Sequence, residues 1–191
     1  MRKLIAGMKI SLDGKMEGAE GMADWVDSWS DDYGVMPQVD ACLLGGGMYP
    51  GYERYWTGIQ NDPGAPAWIR GAPPTPAERD WAEFTRKTPH YVLSNTLTAA
   101  AWPATRFVTN LDGVADLKQQ SGRDIYLVGG ARTTASLIDA GLVDELRLLV
   151  YPLIAGAGKM LFAPAMARRR LDLRKSEQLP DGRVSLVYSI V

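Results

Sequence analysis

A pair of glycines between an apolar run and a helical segment carries the clearest chemical signal in the sequence. Residues 125–128 are continuously apolar, Gly129 and Gly130 follow directly, and residues 131–140 have helical spacing up to Gly141. The first N–H groups of a helix lack partners within the helix and carry partial positive charge. Glycines allow a ligand to approach those groups, so the pattern favours a diphosphate site, although a Gly-Gly pair can also serve only as a tight structural turn.

The predicted phosphate donors are the backbone N–H groups of this turn and of the first helical residues. Arg132 can add a charge-assisted hydrogen bond. The predicted site comprises Val128, Gly129, Gly130, Ala131, Arg132 and Thr133. The sequence contains neither G-x-G-x-x-G after a strand nor G-x-x-x-x-G-K-[ST], so Rossmann and Walker phosphate binding are not indicated.

Composition and charge exclude several other classes of protein. With 21 basic and 22 acidic residues the net charge is -1, which offers no overall field for a nucleic acid or an anionic membrane. A zinc site or a Cys–His nucleophile would need both the single cysteine and the single histidine, so we expect no metal site. Cys42 lies in an apolar run and is expected to be buried.

The amino-terminal residues and the hydropathy pattern bear on localisation. The first apolar stretch is interrupted by Lys9 and is too short for the core of a signal peptide. No stretch approaches the length of a membrane span. We therefore expect a cytoplasmic protein that binds neither a membrane nor a nucleic acid.

The elements that must position the glycine turn alternate between buried strands and helices. Strands are predicted at residues 3–12, 39–44, 90–93, 105–108, 125–128 and 145–151. Helices are predicted at residues 23–33, from the capping box of Thr75 and Glu78 to about Lys87, at 112–120 and at 131–140. Residues 49–75 are rich in Gly and Pro, and we interpret them as an irregular excursion.

The carboxy-terminal segment predicts an antiparallel hairpin. Residues 171–178 and 183–191 alternate polar and apolar side chains around a Leu-Pro-Asp-Gly turn at 179–182. Early strands separated by helices, followed by a hairpin, indicate a mixed, mostly parallel sheet with helices on both faces. At 191 residues the chain is expected to form one α/β domain, residues 1–191.

An ordered series of short motifs resembles the dihydrofolate reductase-like superfamily. Within it, the chain is similar to the carboxy-terminal reductase domain of the bifunctional riboflavin-biosynthesis deaminase-reductase. The matching motifs are LIAGM at 4–8, SLDG at 11–14, LLGG at 43–46, YVLSN at 91–95, YLVGGA at 126–131, VDEL at 143–146 and PLIAGAGKMLF at 152–162. The resemblance covers nearly the whole chain and implies a three-layer dihydrofolate reductase-like fold.

The resemblance also implies NADPH as the cofactor. The first strand and the following turn would then lie against the nicotinamide, and the glycine turn at 129–133 would bind the diphosphate. The residues implied beside the nicotinamide are Ala6, Met8, Asp13, Gly14 and Lys15, those near the adenosine ribose and its 2′-phosphate are Ser94 and Asn95, and those after the second strand are Gly45, Gly46 and Gly47.

One departure from the family pattern concerns phosphate binding. The family usually has a basic residue after the glycine that follows the second strand, and a threonine two positions further on. This chain has Gly45-Gly46-Gly47-Met48-Tyr49 instead. Backbone amides of the glycines can still form an anion-binding nest. Cofactor affinity and the preference for NADPH over NADH therefore stay open.

The substrate side is also implied by the resemblance, because the first helix borders the substrate cleft in the family. Asp24, Asp31 and Asp32 are thus candidate catalytic residues, as proton donor or substrate anchor, and the alternative is that they are solvated or capping residues. The resemblance further suggests a homodimer. Aromatic residues beside the cleft would stack on a heterocycle or, as we slightly favour, pack in an interface or lid: Tyr49, Tyr52, Tyr55, Trp56 and Trp68.

Two functions compete on these observations. The first is an NADPH-dependent reductase that transfers hydride to a small pteridine- or pyrimidine-like heterocycle or to a carbonyl compound. The second is a non-catalytic ligand-binding or interaction protein that retains the fold and has lost cofactor binding. A ribityl phosphate on the substrate would require cations, for which Lys15, Arg70 and Lys159 are candidates.

Overall fold

The centre of the molecule is a mostly parallel sheet. The structure is a computed structural model that describes residues 1–69, 71–162 and 166–191. Within these residues the strands are β1 (Leu4–Ser11), β2 (Val39–Gly45), β3 (His90–Leu93), β4 (Thr105–Val108), β5 (Asp124–Gly129), β6 (Glu145–Tyr151), β7 (Leu171–Gln178) and β8 (Val184–Ile190). They form one sheet in the order β4-β3-β2-β5-β1-β6-β8-β7.

Strand pairing follows the pattern expected from the sequence. β1 pairs in parallel with β5 and β6, β2 pairs in parallel with β3 and β5, and β3 pairs in parallel with β4. β8 is antiparallel to both β6 and β7. The prediction of a mostly parallel sheet with a carboxy-terminal antiparallel hairpin is confirmed. Neighbouring parallel strands end at the same edge of the sheet, which is where ligands bind in open α/β sheets.

Helices cover both faces of the sheet, as predicted. They are α1 (Tyr49–Asn61), α2 (Pro76–Lys87), α3 (Leu111–Gln119) and α4 (Ala131–Asp139). Because side chains alternate along a strand, Leu4 of β1 packs with α3 and α4, whereas Ile5 packs with α1 and α2. Among the described helices, none has the length and apolar character that crossing a bilayer requires.

The prediction of an irregular excursion over residues 49–75 is wrong for its first half, which forms α1. Tyr49, Tyr52, Trp56 and Ile59 recur at three- and four-residue intervals and are buried on one face of this helix. Pro50 lies in the first turn, where the missing N–H costs no helical hydrogen bond. The Gly and Pro content of this segment obscured a normal helical pattern.

The prediction of a helix over residues 23–33 is also wrong, because this segment consists of turns and bends. Val26 is buried against Leu149 and Tyr151, so helical spacing here reflects burial without a helix. Asp31 accepts hydrogen bonds from the backbone N–H groups of residues 35 and 36, which follow it closely in the chain. Aspartate and serine side chains are frequent here, and they compete with helix formation by bonding to nearby backbone groups.

A fully buried carboxylate joins the irregular segment to α1 and α2. Thr75 and Glu78 form the predicted capping box, with Glu78 Oε2 accepting from the Thr75 N–H at 2.8 Å. Glu78 Oε1 accepts from the Trp29 N–H at 3.1 Å and from the Tyr55 hydroxyl at 3.0 Å. Burial by itself raises the pKa of Glu78, but these hydrogen bonds hold the pKa below its ordinary value.

Replacing the Glu78 carboxylate should destabilise the packing of residues 21–33 against α1 and α2. In Glu78→Gln an amide N–H₂ must face a backbone or hydroxyl donor, so we expect the free energy of unfolding to fall by about 1–3 kcal/mol. Urea unfolding followed by circular dichroism measures the change. Glu83→Gln on the same helix is the control, since Glu83 pairs with the exposed side chains of Arg86 and Lys87. Its free energy of unfolding should fall by less than about 0.5 kcal/mol. Equal losses in the two variants would contradict this role of Glu78.

The single histidine is buried in the aromatic layer beneath α1. The His90 ring lies 4.6 Å from the Trp102 ring and 5.7 Å from the Tyr52 ring, measured between centroids. Burial lowers the pKa of His90 to about 4, partly opposed by a hydrogen bond with the Thr88 backbone. Cys42 is buried nearby, as predicted, and burial raises the pKa of its thiol.

The buried histidine should make folding sensitive to mild acid. Between about pH 6.5 and pH 4 the unfolded chain binds a proton at His90 that the folded chain does not, so stability falls as pH decreases through this window. His90→Gln removes this titration. On acidification from pH 7 to pH 4.5, we expect the wild type to lose about 2 kcal/mol more unfolding free energy than the variant. Equal losses in urea titrations at the two pH values would contradict the prediction.

Candidate functional site

A cleft of about 840 Å³ opens at the carboxyl edge of the parallel strands. Its walls are the first turn of α4, the second half of β1, the turns between residues 21 and 33, and the aromatic faces of α1 and α2. One end therefore presents backbone amides and the other presents aromatic rings. A volume of this size fits within the range of small-molecule and cofactor sites.

The amide end of the cleft is built by the predicted glycine turn. Gly129 and Gly130 have φ of 151° and 98°, values that a residue with a Cβ rarely adopts. No side chain caps the first turn of α4, and the first helical hydrogen bond runs from the Thr134 N–H to the Gly130 carbonyl at 2.9 Å. The N–H groups of residues 131–133 thus begin a helix whose first turn lines the cleft.

The end of β2 lies directly against this helix start. A Cβ on Gly45 would be 2.1 Å from Thr133 Oγ1, so only glycine allows this approach. A Cβ on Gly46 would be 2.6 Å from the Ser94 side chain, whereas a Cβ on Gly47 would meet open space. The Met48 thioether lies beside Gly129, where the resemblance implies a threonine hydroxyl. This end of the cleft therefore offers amides and Arg132, without a cation from residues 45–47.

The floor of the cleft is formed by β1. Gly7, Met8 and Lys9 line it, and the rings of Tyr126 and Tyr33 fill the space that a Cβ on Gly7 would occupy. Lys9 is 6% exposed, and its Nζ donates to the Ser28 carbonyl at 2.6 Å and pairs with Asp32. Burial lowers the pKa of Lys9, and the Asp32 carboxylate partly opposes the shift.

Sequence reasoning missed Lys9 as a cleft residue. In the sequence, Lys9 stands out only as an interruption of the first apolar run. A lysine inside an otherwise buried strand is itself a signal, because an ammonium is rarely buried without a partner.

The aromatic wall belongs to the core of this chain, apart from one exposed ring. An interface or lid was the favoured role for the aromatic residues. Four of them do not have it, because they are buried in the core on the inner face of α1: Tyr49, Tyr52, Tyr55 and Trp56. Trp68 is half exposed at the mouth of the cleft, with the Arg54 guanidinium 4.9 Å from its ring centroid. Five rings from the core line the cleft: Tyr52, Tyr55, Trp56, Trp81 and Tyr126.

The structure brings most, but not all, of the predicted site residues to the cleft. Those that line it are Met8, Asp24, Gly45, Gly47, Val128, Gly129, Gly130, Ala131, Arg132 and Thr133. Those that do not line it are Ala6, Asp13, Gly14, Lys15, Asp31, Asp32, Gly46, Ser94 and Asn95. The roles implied for both groups stay predictions.

The turn after β1 is fastened to a neighbouring loop. Asp13 accepts from the Ser11 hydroxyl at 2.6 Å and from the N–H groups of Ala155 and Gly156, both at 2.9 Å. These bonds, chiefly the one from Ser11, lower the pKa of Asp13 to about 2. Lys15 Nζ donates to the Gly158 carbonyl at 3.3 Å. The polar groups of this turn are therefore engaged with residues 155–158.

The candidate carboxylates have different surroundings. Asp31 accepts from the Val35 and Met36 N–H groups at 2.7 and 2.8 Å, and Asp32 pairs with Lys9. Asp24 is exposed and lines the cleft. Of the three, only Asp24 lines the cleft, while the other two make contacts within the chain.

The remaining polar candidates are engaged locally or lie elsewhere. Ser94 Oγ accepts from the backbone N–H groups of residues 96 and 97 at 3.2 and 3.1 Å, and Asn95 is exposed. Lys159 lines the cleft and pairs with Glu17 at 2.6 Å, and Arg70 lies outside the described residues. Within the described ranges, no group of three or more His, Cys, Asp or Glu residues is arranged to hold a metal ion.

Known proteins resemble this chain along its whole length. The uncharacterized protein YyaP of Bacillus subtilis (strain 168) is 30% identical over 192 residues, which cover 98% of this chain and 94% of that protein. A putative riboflavin biosynthesis protein from Shewanella sp. PV-4 has a similar structure, with a TM-score of 0.70, 20% identity and 99% of each chain covered.

Two further findings define the relationship. Dihydrofolate reductase from Enterococcus faecalis, complexed with NADP(H) and RAB-propyl, has the same fold, with a TM-score of 0.59, 14% identity, and 98% of this chain and 96% of that chain covered. A sequence model of the RibD C-terminal domain matches residues 2–185. Because this match spans almost the entire chain, the protein belongs to the RibD C-terminal domain family.

Proposed function

We propose that this protein is an NADPH-dependent reductase that transfers hydride to a small heterocyclic or carbonyl substrate. One observation carries the proposal: the uncapped first turn of α4 opens onto the same cleft as the second half of β1. Phosphates at that helix start leave the reactive ring of a dinucleotide within reach of β1. Family membership and the shared dihydrofolate reductase fold support a reductase.

The residues at the amide end suit a diphosphate. Gly129 and Gly130 leave the helix start accessible, and Arg132 adds one positive charge. The partners available to a 2′-phosphate are fewer, because Gly46 and Gly47 carry no charge and the Ser94 hydroxyl already accepts two backbone hydrogen bonds. The proposal therefore predicts binding through the diphosphate, with modest discrimination between NADPH and NADH.

The chain's own contribution to the reaction is alignment and exclusion of water. The bound dinucleotide supplies the hydride, with its two electrons. The rings of Tyr52, Trp56 and Trp81 form a wall against which a flat substrate can be held. Asp24 is exposed on the cleft and is proposed to deliver a proton to the reduced substrate through its carboxyl group or a water molecule.

A cofactor-free binding protein is the competing function, favoured by the missing basic residue and by Met48 beside Gly129. Titration with NADPH and NADH distinguishes the two, with the fluorescence of the six tryptophans and the melting temperature as readouts. Quenching or a higher melting temperature supports the reductase. No response at millimolar concentrations of either nucleotide overturns the proposed function.

A carboxylate placed in the first turn of α4 should separate binding from stability. We expect Ala131→Glu to weaken NADPH binding by at least about tenfold, because the new charge repels the diphosphate. The same charge favours a helix start, so the melting temperature should not fall. Isothermal titration calorimetry and thermal unfolding provide the two measurements.

The matched control is Ala77→Glu, which puts the same side chain in the exposed first turn of α2, away from the cleft. This variant should bind NADPH as the wild type does. Unchanged NADPH binding in Ala131→Glu would place the diphosphate elsewhere and remove the main support for the proposal.

Adding a cation after β2, one position beyond the family's basic residue, should strengthen binding of the 2′-phosphate. Gly47 is exposed and a Cβ there meets open space, so Gly47→Arg introduces no clash. We expect about tenfold tighter NADPH binding, little change for NADH, and a smaller gain at high salt. Gly47→Gln is the uncharged control. Equal gains for both nucleotides, or the same gain with glutamine, would contradict an electrostatic contact with the 2′-phosphate.

A further inference from the structure

We propose that Lys9 is the substrate-recognising cation of the cleft, donating a hydrogen bond to a ring carbonyl oxygen or an anionic ring nitrogen of a flat, phosphate-free heterocycle. The inference rests on the proposed function for the meaning of the cleft. It concerns a residue of this chain that neither the matching motifs nor the phosphate-binding turn includes.

Lys9 occupies the floor of the cleft close to the end of a central strand. Alternation along β1 puts Lys9 on the same face as Ile5 and Gly7, which is the face covered by α1, α2 and the Tyr126 ring. It lies two residues beyond Gly7 toward the carboxyl end, where ligands of parallel sheets bind. The Trp29 ring over the ammonium places it in the aromatic half of the cleft, formed by residues 21–33 and the rings of α1 and α2, which we take as the substrate half.

Among the residues that the structure describes, the contacts of the ammonium leave one donor for a ligand. A lysine ammonium has three N–H donors. Nζ donates to the Ser28 carbonyl at 2.6 Å and pairs with Asp32, and the Trp29 ring centroid lies 5.4 Å away. These contacts hold the side chain in one position. Lys9 lines the cleft together with Trp29, Tyr33 and Tyr126, and we assign the remaining donor to a ligand at that surface.

Burial makes a purely structural role for this cation unfavourable. An ammonium removed from water costs several kcal/mol, and a buried ion pair often stabilises a fold less than apolar side chains of similar size. Trp29, whose ring lies over the ammonium, packs against an apolar cluster of Val26, Leu149 and Tyr151, so the surroundings on this side are apolar. A charge retained here is better explained by a ligand that needs it.

The chemistry around Lys9 restricts the ligand. Trp29, Tyr33 and Tyr126 line the same part of the cleft and favour a flat, apolar body. In this water-poor surrounding a charged donor binds an electron-rich oxygen or nitrogen strongly. As hydride reaches a neighbouring carbon of the substrate, negative charge grows on this oxygen or nitrogen, and its hydrogen bond with Lys9 strengthens.

The other charges of the cleft disfavour a phosphate at this end. Among the described residues, the other basic side chains lining the cleft are Arg132, at the α4 end, and Lys159, which pairs with Glu17. Asp24 and Asp27 are acidic and line the substrate half. A phosphate would meet repulsion there, whereas a neutral heterocycle or one with a single delocalised negative charge would not.

Equilibrium binding of pteridine-2,4-dione tests the inference without turnover. This fluorescent bicycle is flat, carries ring carbonyls and has no phosphate. We expect the wild type to bind it and Lys9→Met to bind it at least about tenfold more weakly. Naphthalene, a flat bicycle without an acceptor, should bind both proteins alike. Lys3→Met, an exposed lysine immediately before β1, is the matched control and should bind the dione as the wild type does.

Two further measurements separate binding from folding and from the proposed function. Lys9→Met/Asp32→Asn removes both charges, so a loss of dione binding in this folded double variant, checked by circular dichroism, cannot arise from an unpaired Asp32. NADPH affinity, measured in parallel, should change less than about threefold in both variants. If the protein binds the dione through Lys9 but does not bind NADPH, the reductase proposal fails and the inference about Lys9 stands. No dione binding by the wild type, or equal binding by the folded Lys9 variants, would overturn the inference.

Discussion

The aromatic half of the cleft, with the turns between residues 21 and 33, depends on one buried carboxylate. Glu78 accepts hydrogen bonds from the start of α2, from the Trp29 N–H and from the Tyr55 hydroxyl of α1. It thereby fixes a segment that has no regular secondary structure against two helices that do. The Trp29 backbone is held here, and the Trp29 ring lies over the Lys9 ammonium. Without this anchor the turns between residues 21 and 33 would have few backbone partners to define a wall.

Charge is distributed unevenly along the cleft, and this distribution supports the proposed orientation of its ligands. The helix start at Gly130 supplies partial positive charge from backbone dipoles, and such charge favours phosphates without needing many cations. The aromatic half instead contains a buried ammonium neutralised by Asp32. A dinucleotide and a flat substrate can thus occupy opposite ends with their reactive groups meeting over β1, and each end requires a different kind of interaction.

The sequence was sufficient where a local rule dominates. Apolar runs predicted β1, β2 and β5, and the motif from Thr75 to Glu78 predicted the start of α2, because capping is decided by residues three positions apart. It failed at two amphipathic segments. Residues 23–33 have helical spacing but bend so that side chains accept backbone hydrogen bonds, and residues 49–61 form a helix despite Pro50 and Gly51. In the first segment local side-chain hydrogen bonds to the backbone outweighed the helical spacing, and in the second segment packing in the aromatic core outweighed the local preference of Pro and Gly.

For the site, the sequence alone determined the glycine turn at 129–130, because strand, turn and helix are consecutive and backbone geometry follows from residue type. Only the tertiary structure decided which side chains share the cleft. It directed Asp13 toward residues 155 and 156, paired Asp32 with Lys9, and buried the rings of α1. The physical reason is that these contacts join residues far apart in the chain, so their partners are set by how strands and helices pack, which residue spacing does not encode.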